Sequence, residues 1–177
     1  ARGNDLDKSV LDPARAAPIL FALQQAAVVT AVSQALARKA QALAYEGHRA
    51  MFEAFARNKY RSTGVIQWML NNAWPSMIWH LYDWYLRPAG GYYGSRKACE
   101  PLHVQFSYDD RSVVVVNEKL EPFSGLKVAA QLFNFDLTPK WSSEAKVNVA
   151  ADGVARTLIV PRPKGLSSTY FLRLTLE

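Results

Sequence analysis

The chain has 177 residues, half of them hydrophobic and 12% aromatic, and its 21 Lys and Arg against 15 Asp and Glu give a formal net charge of +6. That length suits one ordinary domain or two small ones, and the composition excludes a disordered, collagenous or low-complexity chain. A single cysteine, Cys99, excludes a disulfide framework, and the scattered basic residues predict a solvated surface rather than a nucleic-acid site.

The first predicted element is an Ala-rich helix over residues 18–58. Its apolar positions recur at steps of three and four residues and form a stripe of mostly small side chains: Leu36, Ala40, Leu43, Gly47, Ala50 and Ala54. Small side chains suit a helix that lies close against a sheet or barrel. Because proline is tolerated only in a first turn, Pro13 and Pro18 predict a helix that starts after both of them.

The stretch over residues 16–37 is not expected to span a membrane or to act as a signal peptide. It is interrupted by polar residues and falls short of about 20 continuous apolar residues. Acidic residues precede it, where a signal peptide would carry positive charge: Asp5, Asp7 and Asp12. We therefore expect no membrane partner.

A different pattern follows the helix. Ser62, Thr63 and Gly64 break it, and residues 65–70 are nearly all apolar, which predicts a strand buried on both faces as in a parallel sheet. A second helix is predicted over residues 92–100 and is stopped by Pro101. Helix, buried strand and helix in succession are typical of an α/β fold.

Beyond a junction near residues 99–102 the sequence becomes strand-like. Short segments with alternating or β-branched residues predict six strands over residues 103–108, 112–117, 126–135, 145–149, 157–160 and 169–176. Turn signals lie between strands, at Asp109-Asp110-Arg111, Ser124-Gly125, Asp152-Gly153 and Pro163-Lys164-Gly165. Several short strands at this spacing predict a β-sandwich.

Four of the five tryptophans lie between residues 68 and 84: Trp68, Trp74, Trp79 and Trp84. Aromatic rings present flat apolar faces that can pack on the C–H faces of sugars, and side-chain amides can bind hydroxyl groups. Asn71 and Asn72 follow the predicted strand, at the end where α/β barrels place their working residues. One hypothesis is a sugar site in which Trp68 and Trp74 bracket these amides while the other two tryptophans pack in the core. The alternative is that all of these aromatics belong to the core.

Other kinds of site are not supported. The three histidines fall on different predicted elements and lack metal-ligand spacing, so we expect no zinc site: His48, His80 and His103. No G-x-S-x-G elbow is present, so a hydrolytic triad is unsupported. Cys99 is expected to pack at the junction. Three carboxylates are expected to be solvated or ion-paired rather than catalytic: Glu46, Glu53 and Asp83.

The central run of the sequence resembles a known family. It reads TGVIQWMLNNAWPS over residues 63–76 and continues as IWHLYD over 78–83, with YYG at 92–94 and a further match over 100–117. These motifs resemble glycoside hydrolase family 2, and within it the exo-β-D-glucosaminidase branch. The resemblance covers roughly residues 38–177 and is most specific over 45–117.

The resemblance implies an α+β fold in two parts. Residues 1–100 would be the C-terminal part of a (β/α)8 TIM barrel, with residues 1–30 poorly matched, residues 64–70 as its eighth strand and residues 92–100 as its last helix. Residues 101–177 would form an immunoglobulin-like β-sandwich that is incomplete. We therefore expect a fragment of a longer enzyme.

The resemblance also implies a chemistry. Members of the family are retaining hydrolases whose two catalytic glutamates lie about 5–5.5 Å apart, and the positions of both would precede residue 1. This chain would then contain no catalytic residue and would be inactive alone, while its parent enzyme would hydrolyse terminal β-D-glucosaminides such as chitosan-like oligosaccharides. The expected substrate-binding residues are Trp68, Asn71, Asn72 and Trp74.

No cofactor and no metal are expected. The expected partners are an amino-sugar oligosaccharide and the missing N-terminal part of the enzyme, and the resemblance implies a secreted or periplasmic location. Two alternatives stay open. One is a β-mannosidase or β-galactosidase of the same family, and the other is a non-catalytic carbohydrate-binding or structural sandwich module.

Overall fold

The structure is a computed structural model that describes residues 13–76 and 79–177, with side chains described for residue 26 and from residue 30 onward. The acidic residues at positions 5, 7 and 12, and Ile78 of the family motif, lie outside the described residues. The chain divides into two units between Ala42 and Leu43. Its elements are α1 (Pro13–Arg57), α2 (Gly90–Ala98), β1 (Leu102–Phe106), β2 (Ser112–Asn117), β3 (Phe123–Asn134), β4 (Pro139–Val149), β5 (Val154–Ile159) and β6 (Tyr170–Leu176).

Helix α1 is 45 residues long and begins at Pro13, so the prediction of a start after Pro18 is wrong. A proline at the first helical position lacks only an N–H that would have no partner inside the helix. Pro18 lies five residues further on, and it has no N–H to donate to the carbonyl of Ala14. No described helix is long and apolar enough to cross a membrane.

The apolar stripe of α1 is only partly covered. Leu36 and Leu43 are 65% and 74% exposed, whereas Ala50 and Ala54 are half-buried. Close to the end of the helix, the amide of Asn58 donates to the carbonyl of Ala54 at 2.8 Å. Within the second unit, it is therefore the last turns of α1 that pack against the rest of the chain.

The six strands form two antiparallel three-stranded sheets, in the orders β1-β2-β5 and β4-β3-β6. The inward side chains of both sheets make one buried cluster: Val113, Val115, Val128, Ala130, Leu132, Val147, Val149 and Val160. Strand β2 is buried at every residue, because its opposite face is also covered. Val116 on that face lines a cavity together with Phe52 and Phe55 of α1.

Most strand predictions agree with the structure to within a few residues, and β2 agrees at both ends. The turn predicted at Ser124-Gly125 is wrong. Gly125, at φ +72°, lies in a bulge inside β3 where the register with β4 shifts, and its N–H donates to the Asn148 side chain at 2.7 Å. A glycine at positive φ lets the strand bulge and continue.

The buried strand predicted over residues 65–70 is wrong. This segment joins no sheet ladder, and Ile66 and Leu70 are 88% and 60% exposed. A strand needs a neighbour that supplies a continuous ladder of hydrogen bonds, and among the described residues this segment receives only isolated bonds at Trp68 and Leu70. The coarser prediction of mixed helix and sheet, with two antiparallel sheets, is confirmed.

Candidate carbohydrate-binding site

The four clustered tryptophans are all exposed. The exposed fraction is 72% for Trp68, 68% for Trp74, 60% for Trp79 and 46% for Trp84. The predicted core positions of Trp79 and Trp84 are therefore wrong, and so is the alternative that places every aromatic in the core. In the described part of the chain no element covers these rings, so their flat faces are open to a ligand or to another part of a larger protein.

Backbone and side-chain hydrogen bonds hold two stretches of this segment side by side. The indole N–H of Trp79 donates to the carbonyl of Trp68 at 2.7 Å, and the Gln67 side-chain amide donates to the same carbonyl at 3.4 Å. Further along, the N–H of Tyr82 donates to the carbonyl of Leu70 at 2.9 Å. Trp68 is thus fixed through its backbone while its ring remains exposed.

Asn72 closes the loop that carries Trp74. Its side chain is 5% exposed, and its Nδ2 donates to the carbonyl of Ser76 at 3.1 Å. Its Oδ1 is buried and has no hydrogen-bond partner among residues 13–76 and 79–177. Asn71 is half-buried and donates to the carbonyl of Asn72 at 3.4 Å. The hydrogen bonds therefore link the two asparagines to each other and to the Trp74 loop, whereas Trp68 is linked to Trp79.

Helix α2 anchors the segment. The N–H of Ala89, just before α2, donates to the carbonyl of Leu81 at 2.9 Å, and the ring of Tyr82 lies 5.1 Å from that of Tyr92. Gly94 allows α2 to lie directly on α1, because a Cβ at this position would come within 2.2 Å of the carbonyl oxygen of Tyr45. The sequence motif around residues 92–94 therefore serves helix packing.

The three carboxylates that the sequence predicted to be solvated or ion-paired are engaged in structural contacts. Asp83 accepts from the backbone N–H of Arg87 at 2.9 Å, Glu46 pairs with Arg49 at 2.7 Å, and Glu53 lies 2.9 Å from His103. No pair of carboxylates is left free for acid–base work among these residues. The described residues also contain no group of three or more His, Cys, Asp and Glu that could hold a metal ion.

Cys99 is exposed, so the prediction that it packs at the junction is wrong. Partial burial of the thiol, together with the negative charge of Glu118, raises its pKa. Because the thiolate is the reactive form, this makes Cys99 a weak nucleophile.

Sequence reasoning missed the residues that support Trp68. Gln67 and Trp79 both donate hydrogen bonds to the Trp68 carbonyl. A separate contact that sequence reasoning also missed is the pairing of Glu53 with His103, 50 positions apart. The composition of the segment marked its aromatics and amides, but nothing in the local pattern indicated these partners.

The exposed indole rings of this segment present flat apolar faces, which can pack on the C–H faces of sugars. The chain is 50% identical over 146 residues to an exo-β-D-glucosaminidase of Streptomyces avermitilis, covering 78% of this chain and 16% of that protein. It is 46% identical over 145 residues to the exo-β-D-glucosaminidase of Amycolatopsis orientalis, covering 78% and 14%.

Solved structures agree with these sequence relationships. The exo-chitosanase of Amycolatopsis orientalis superposes with a TM-score of 0.76 at 44% identity, over 80% of this chain and 17% of that one. A β-D-mannosidase of Dictyoglomus thermophilum, at 22% identity and a TM-score of 0.57, shares the fold. No family model matches the chain.

The resemblance to the exo-β-D-glucosaminidase branch of glycoside hydrolase family 2 is confirmed. The chain spans about a sixth of the length of the curated relatives named above, 16% and 14% respectively.

Proposed function

We propose that this chain is part of a retaining exo-glycosidase that hydrolyses terminal β-D-glucosaminides, and that it supplies part of the sugar-binding pocket but no catalytic carboxylate. The observation that carries the proposal is the identity of 46–50% with two exo-β-D-glucosaminidases over 78% of the chain. The absence of a catalytic carboxylate is supported by three side chains that are held in ion pairs or hydrogen bonds: Glu46, Glu53 and Asp83. None of them is available as an acid, base or nucleophile.

The pocket residues of this proposal are Trp68, Asn71, Asn72 and Trp74. The exposed ring of Trp68 forms an apolar floor for a sugar ring, and Trp74 presents a second face on the loop that Asn72 closes. The half-buried amide of Asn71 is the more accessible of the two asparagines for a sugar hydroxyl, whereas the Oδ1 of Asn72 is buried and Asn72 acts by closing the Trp74 loop. The motif over residues 63–76 contains no carboxylate, so the acidic groups that face the ammonium of a glucosaminide belong to another part of the enzyme.

The same proposal extends to the architecture. In the whole enzyme, residues 1–100 would belong to the C-terminal end of a (β/α)8 barrel and residues 101–177 to an immunoglobulin-like sandwich. Residues 64–70, which form no strand in this chain, would pair there as the eighth strand. The exposed, unpaired and almost wholly apolar segment 64–70 supports this view, because a strand buried on both faces of a barrel leaves such side chains uncovered when its neighbours are absent.

A β-mannosidase is the second candidate within the family. A mannosylglycoprotein endo-β-mannosidase of Lilium longiflorum is 32% identical over 101 residues, covering 56% of this chain and 11% of that protein. The higher identity to the glucosaminidases favours a glucosaminide as substrate. A non-catalytic carbohydrate-binding module would use the same exposed rings without any hydrolysis.

A chimaera tests the proposal. The 146-residue segment of the Streptomyces avermitilis enzyme that matches this chain is replaced by the corresponding residues of this chain, and hydrolysis of p-nitrophenyl β-D-glucosaminide is measured. We expect turnover of the glucosaminide that exceeds turnover of the mannoside and galactoside, and none by the isolated 177-residue chain. Preference for the mannoside, or hydrolysis by the isolated chain, would contradict the proposal.

Substitution of the pocket tests the role of the tryptophan. Trp68→Ala in the chimaera removes the proposed floor and should raise KM for the glucosaminide about tenfold or more, which corresponds to about 1.4 kcal/mol. Trp141→Phe is the control, because Trp141 packs against the sandwich core far from the segment in sequence. An unchanged KM in the Trp68 variant would remove this residue from the pocket.

A further inference from the structure

A tight turn over residues 83–87 carries the only carboxylate in the tryptophan-bearing segment 64–89. The N–H of Asp83 donates to the carbonyl of Arg87 at 3.1 Å, and the N–H of Leu86 donates to the carbonyl of Asp83 at 3.0 Å. In addition, Oδ1 of Asp83 accepts from the N–H of Arg87 at 2.9 Å. Three hydrogen bonds therefore hold the two ends of the turn together.

The negative charge of Asp83 is not neutralised by a neighbouring cation. Its Oδ2 accepts no hydrogen bond from residues 13–76 and 79–177, and its carboxylate forms no ion pair with them. Arg87 is the closest arginine or lysine in sequence, but its guanidinium carbon lies over the ring of Tyr85, 5.7 Å from the ring centre. Because an ionised carboxylate can accept about four hydrogen bonds, Asp83 keeps unused acceptor capacity.

The turn lies beside the proposed sugar pocket. Tyr82, which immediately precedes Asp83, forms a backbone bridge with Asn71, and its N–H donates to the carbonyl of Leu70 at 2.9 Å. Asn71 is one of the proposed pocket residues, so Asp83 follows a residue whose backbone is paired with the pocket. In a (β/α)8 barrel the loops that follow the strands build the substrate site. A charged turn at this position is therefore placed to contact a bound oligosaccharide.

Tyr85 supplies an apolar surface on the same turn. It is 67% exposed, and the guanidinium of Arg87 lies over its ring and restrains it. An exposed aromatic face can pack on the C–H groups of a sugar, as proposed for Trp68. The turn thus combines an apolar face with a carboxylate that no described cation neutralises.

A carboxylate beside an aromatic face favours a ligand that carries both a cation and apolar C–H groups. The ammonium of a glucosamine unit adds a full opposite charge to its hydrogen bonds with a carboxylate, whereas the hydroxyl or acetamido group of a neutral sugar does not. A metal ion is not favoured as the ligand, because the described residues contain no group of three or more His, Cys, Asp and Glu that could hold one.

We propose, on the basis of the function proposed above, that Asp83 and Tyr85 bind the glucosamine unit next to the one held on Trp68. Asp83 accepts hydrogen bonds from the ammonium of this second unit, and the ring of Tyr85 packs on its C–H face. Asp83 stays ionised and takes no proton, so it selects for an amino sugar without acting in the hydrolysis.

Asp83→Asn in the chimaera tests the charge, because the asparagine keeps an oxygen for the N–H of Arg87 and loses the negative charge. We expect KM for a glucosamine tetramer, relative to KM for p-nitrophenyl β-D-glucosaminide, to rise about two- to fivefold, as for an ion pair at a partly exposed site. Asp136→Asn is the matched control. Asp136 likewise accepts a backbone N–H, that of Thr138 at 3.0 Å, but it lies between β3 and β4 of the sandwich.

Salt separates an effect of charge from an effect of a distorted turn. Between about 0.02 M and about 0.5 M NaCl, screening should remove most of the difference between the parent chimaera and the Asp83 variant. A variant that only disturbed the turn would keep its higher KM at high salt. Tyr85→Ala should also raise the relative KM for the tetramer about twofold or more, but without this dependence on salt.

Binding to the 177-residue chain itself is a test that needs no hydrolysis. The probes are the glucosamine tetramer and its fully N-acetylated counterpart, and the backbone amide shifts of residues 83–87 report the contact. We expect the glucosamine tetramer to bind about twofold or more tightly than the acetylated one, and Asp83→Asn to remove this preference.

Equal affinities for the two tetramers, no shifts in residues 83–87, or an Asp83 variant with the kinetics of the Asp136 variant would each overturn the proposal. The function proposed above would survive these results if the chimaera still hydrolyses the glucosaminide. Conversely, a chimaera that prefers the mannoside would contradict that function, while the two tetramers would still test the contact with Asp83.

Discussion

The indole N–H of Trp79 donates to the backbone carbonyl of Trp68, eleven positions earlier in the chain, at 2.7 Å. Trp79 therefore orients the backbone of Trp68, whose ring is the proposed floor for a sugar. The rings of both tryptophans stay exposed. Removal of one hydrogen bond between partly solvated groups costs about 0.5–1.5 kcal/mol.

Trp79→Phe tests this support, since it removes the donor and retains an aromatic ring. In the chimaera we expect KM for p-nitrophenyl β-D-glucosaminide to rise about two- to twelvefold, the range that corresponds to that cost. Trp84→Phe, in a tryptophan of the same segment that is 46% exposed, should leave KM near the parent value. Equal effects of the two variants would show that the hydrogen bond does not position the ring of Trp68.

Gly94→Ala tests the close approach of α2 to α1. The added Cβ would lie 2.2 Å from the carbonyl oxygen of Tyr45, so backbone must move, and we expect a loss of about 1–3 kcal/mol in the free energy of unfolding. Gly47→Ala is the matched control, because a Cβ there meets nothing within 4 Å and alanine favours a helix by about 0.8–1 kcal/mol. Urea unfolding should give opposite signs for the two variants.

Leu132→Ala tests the contribution of the sandwich core. Leu132 is fully buried between the two sheets, and its truncation should cost about 2–5 kcal/mol. Leu120→Ala, at a side chain 91% exposed, should change the free energy of unfolding by no more than about 0.5 kcal/mol. A small effect at Leu132 would mean that the two sheets do not share one core.

Acid should weaken the contact of Asp152 with Lys59 and Tyr60, which follow α1. Hydrogen bonds from Tyr60, and then from Lys59 at 2.9 Å, lower the pKa of Asp152. A carboxyl group whose pKa is lowered by folding stabilises the folded state above its unfolded pKa, and this contribution is lost as the pH falls through the folded pKa.

We therefore expect the free energy of unfolding to fall as the pH drops from about 5 to about 2, in the range where aspartates titrate. Asp152→Asn should reduce this dependence. Chemical unfolding at several pH values measures the slope. Identical slopes in the parent and the Asp152 variant would contradict the prediction.

Local patterns predicted those parts of the fold that depend on neighbouring residues. The run of valines over 113–116 bounded the second strand at both ends, and Gly90–Ala98 lies within a few residues of the helix predicted before Pro101. By contrast, β4 begins at Pro139, six residues before the prediction. Its first residues, which include Ser142 and Ser143, carry no hydrophobic alternation that would mark a half-buried strand.

The candidate site was predicted by composition rather than by geometry. The sequence alone marked Trp68, Asn71, Asn72 and Trp74 as candidates, and their role in binding stays a prediction. It did not indicate that Asn72 would be buried and close the Trp74 loop, because that contact depends on how residues 72–76 fold back.

By itself, the sequence determined the family resemblance, the long helix, the approximate positions of the strands and the aromatic-rich segment. These follow from periodicity, β-branching and turn chemistry, which act between residues close together in the chain. Only the tertiary structure decided that residues 65–70 lack a strand partner, that Trp79 and Trp84 are exposed, and that Glu53 meets His103. Strand pairing and side-chain burial depend on residues that are distant in sequence. The local pattern of a segment does not specify which of these distant residues will contact it.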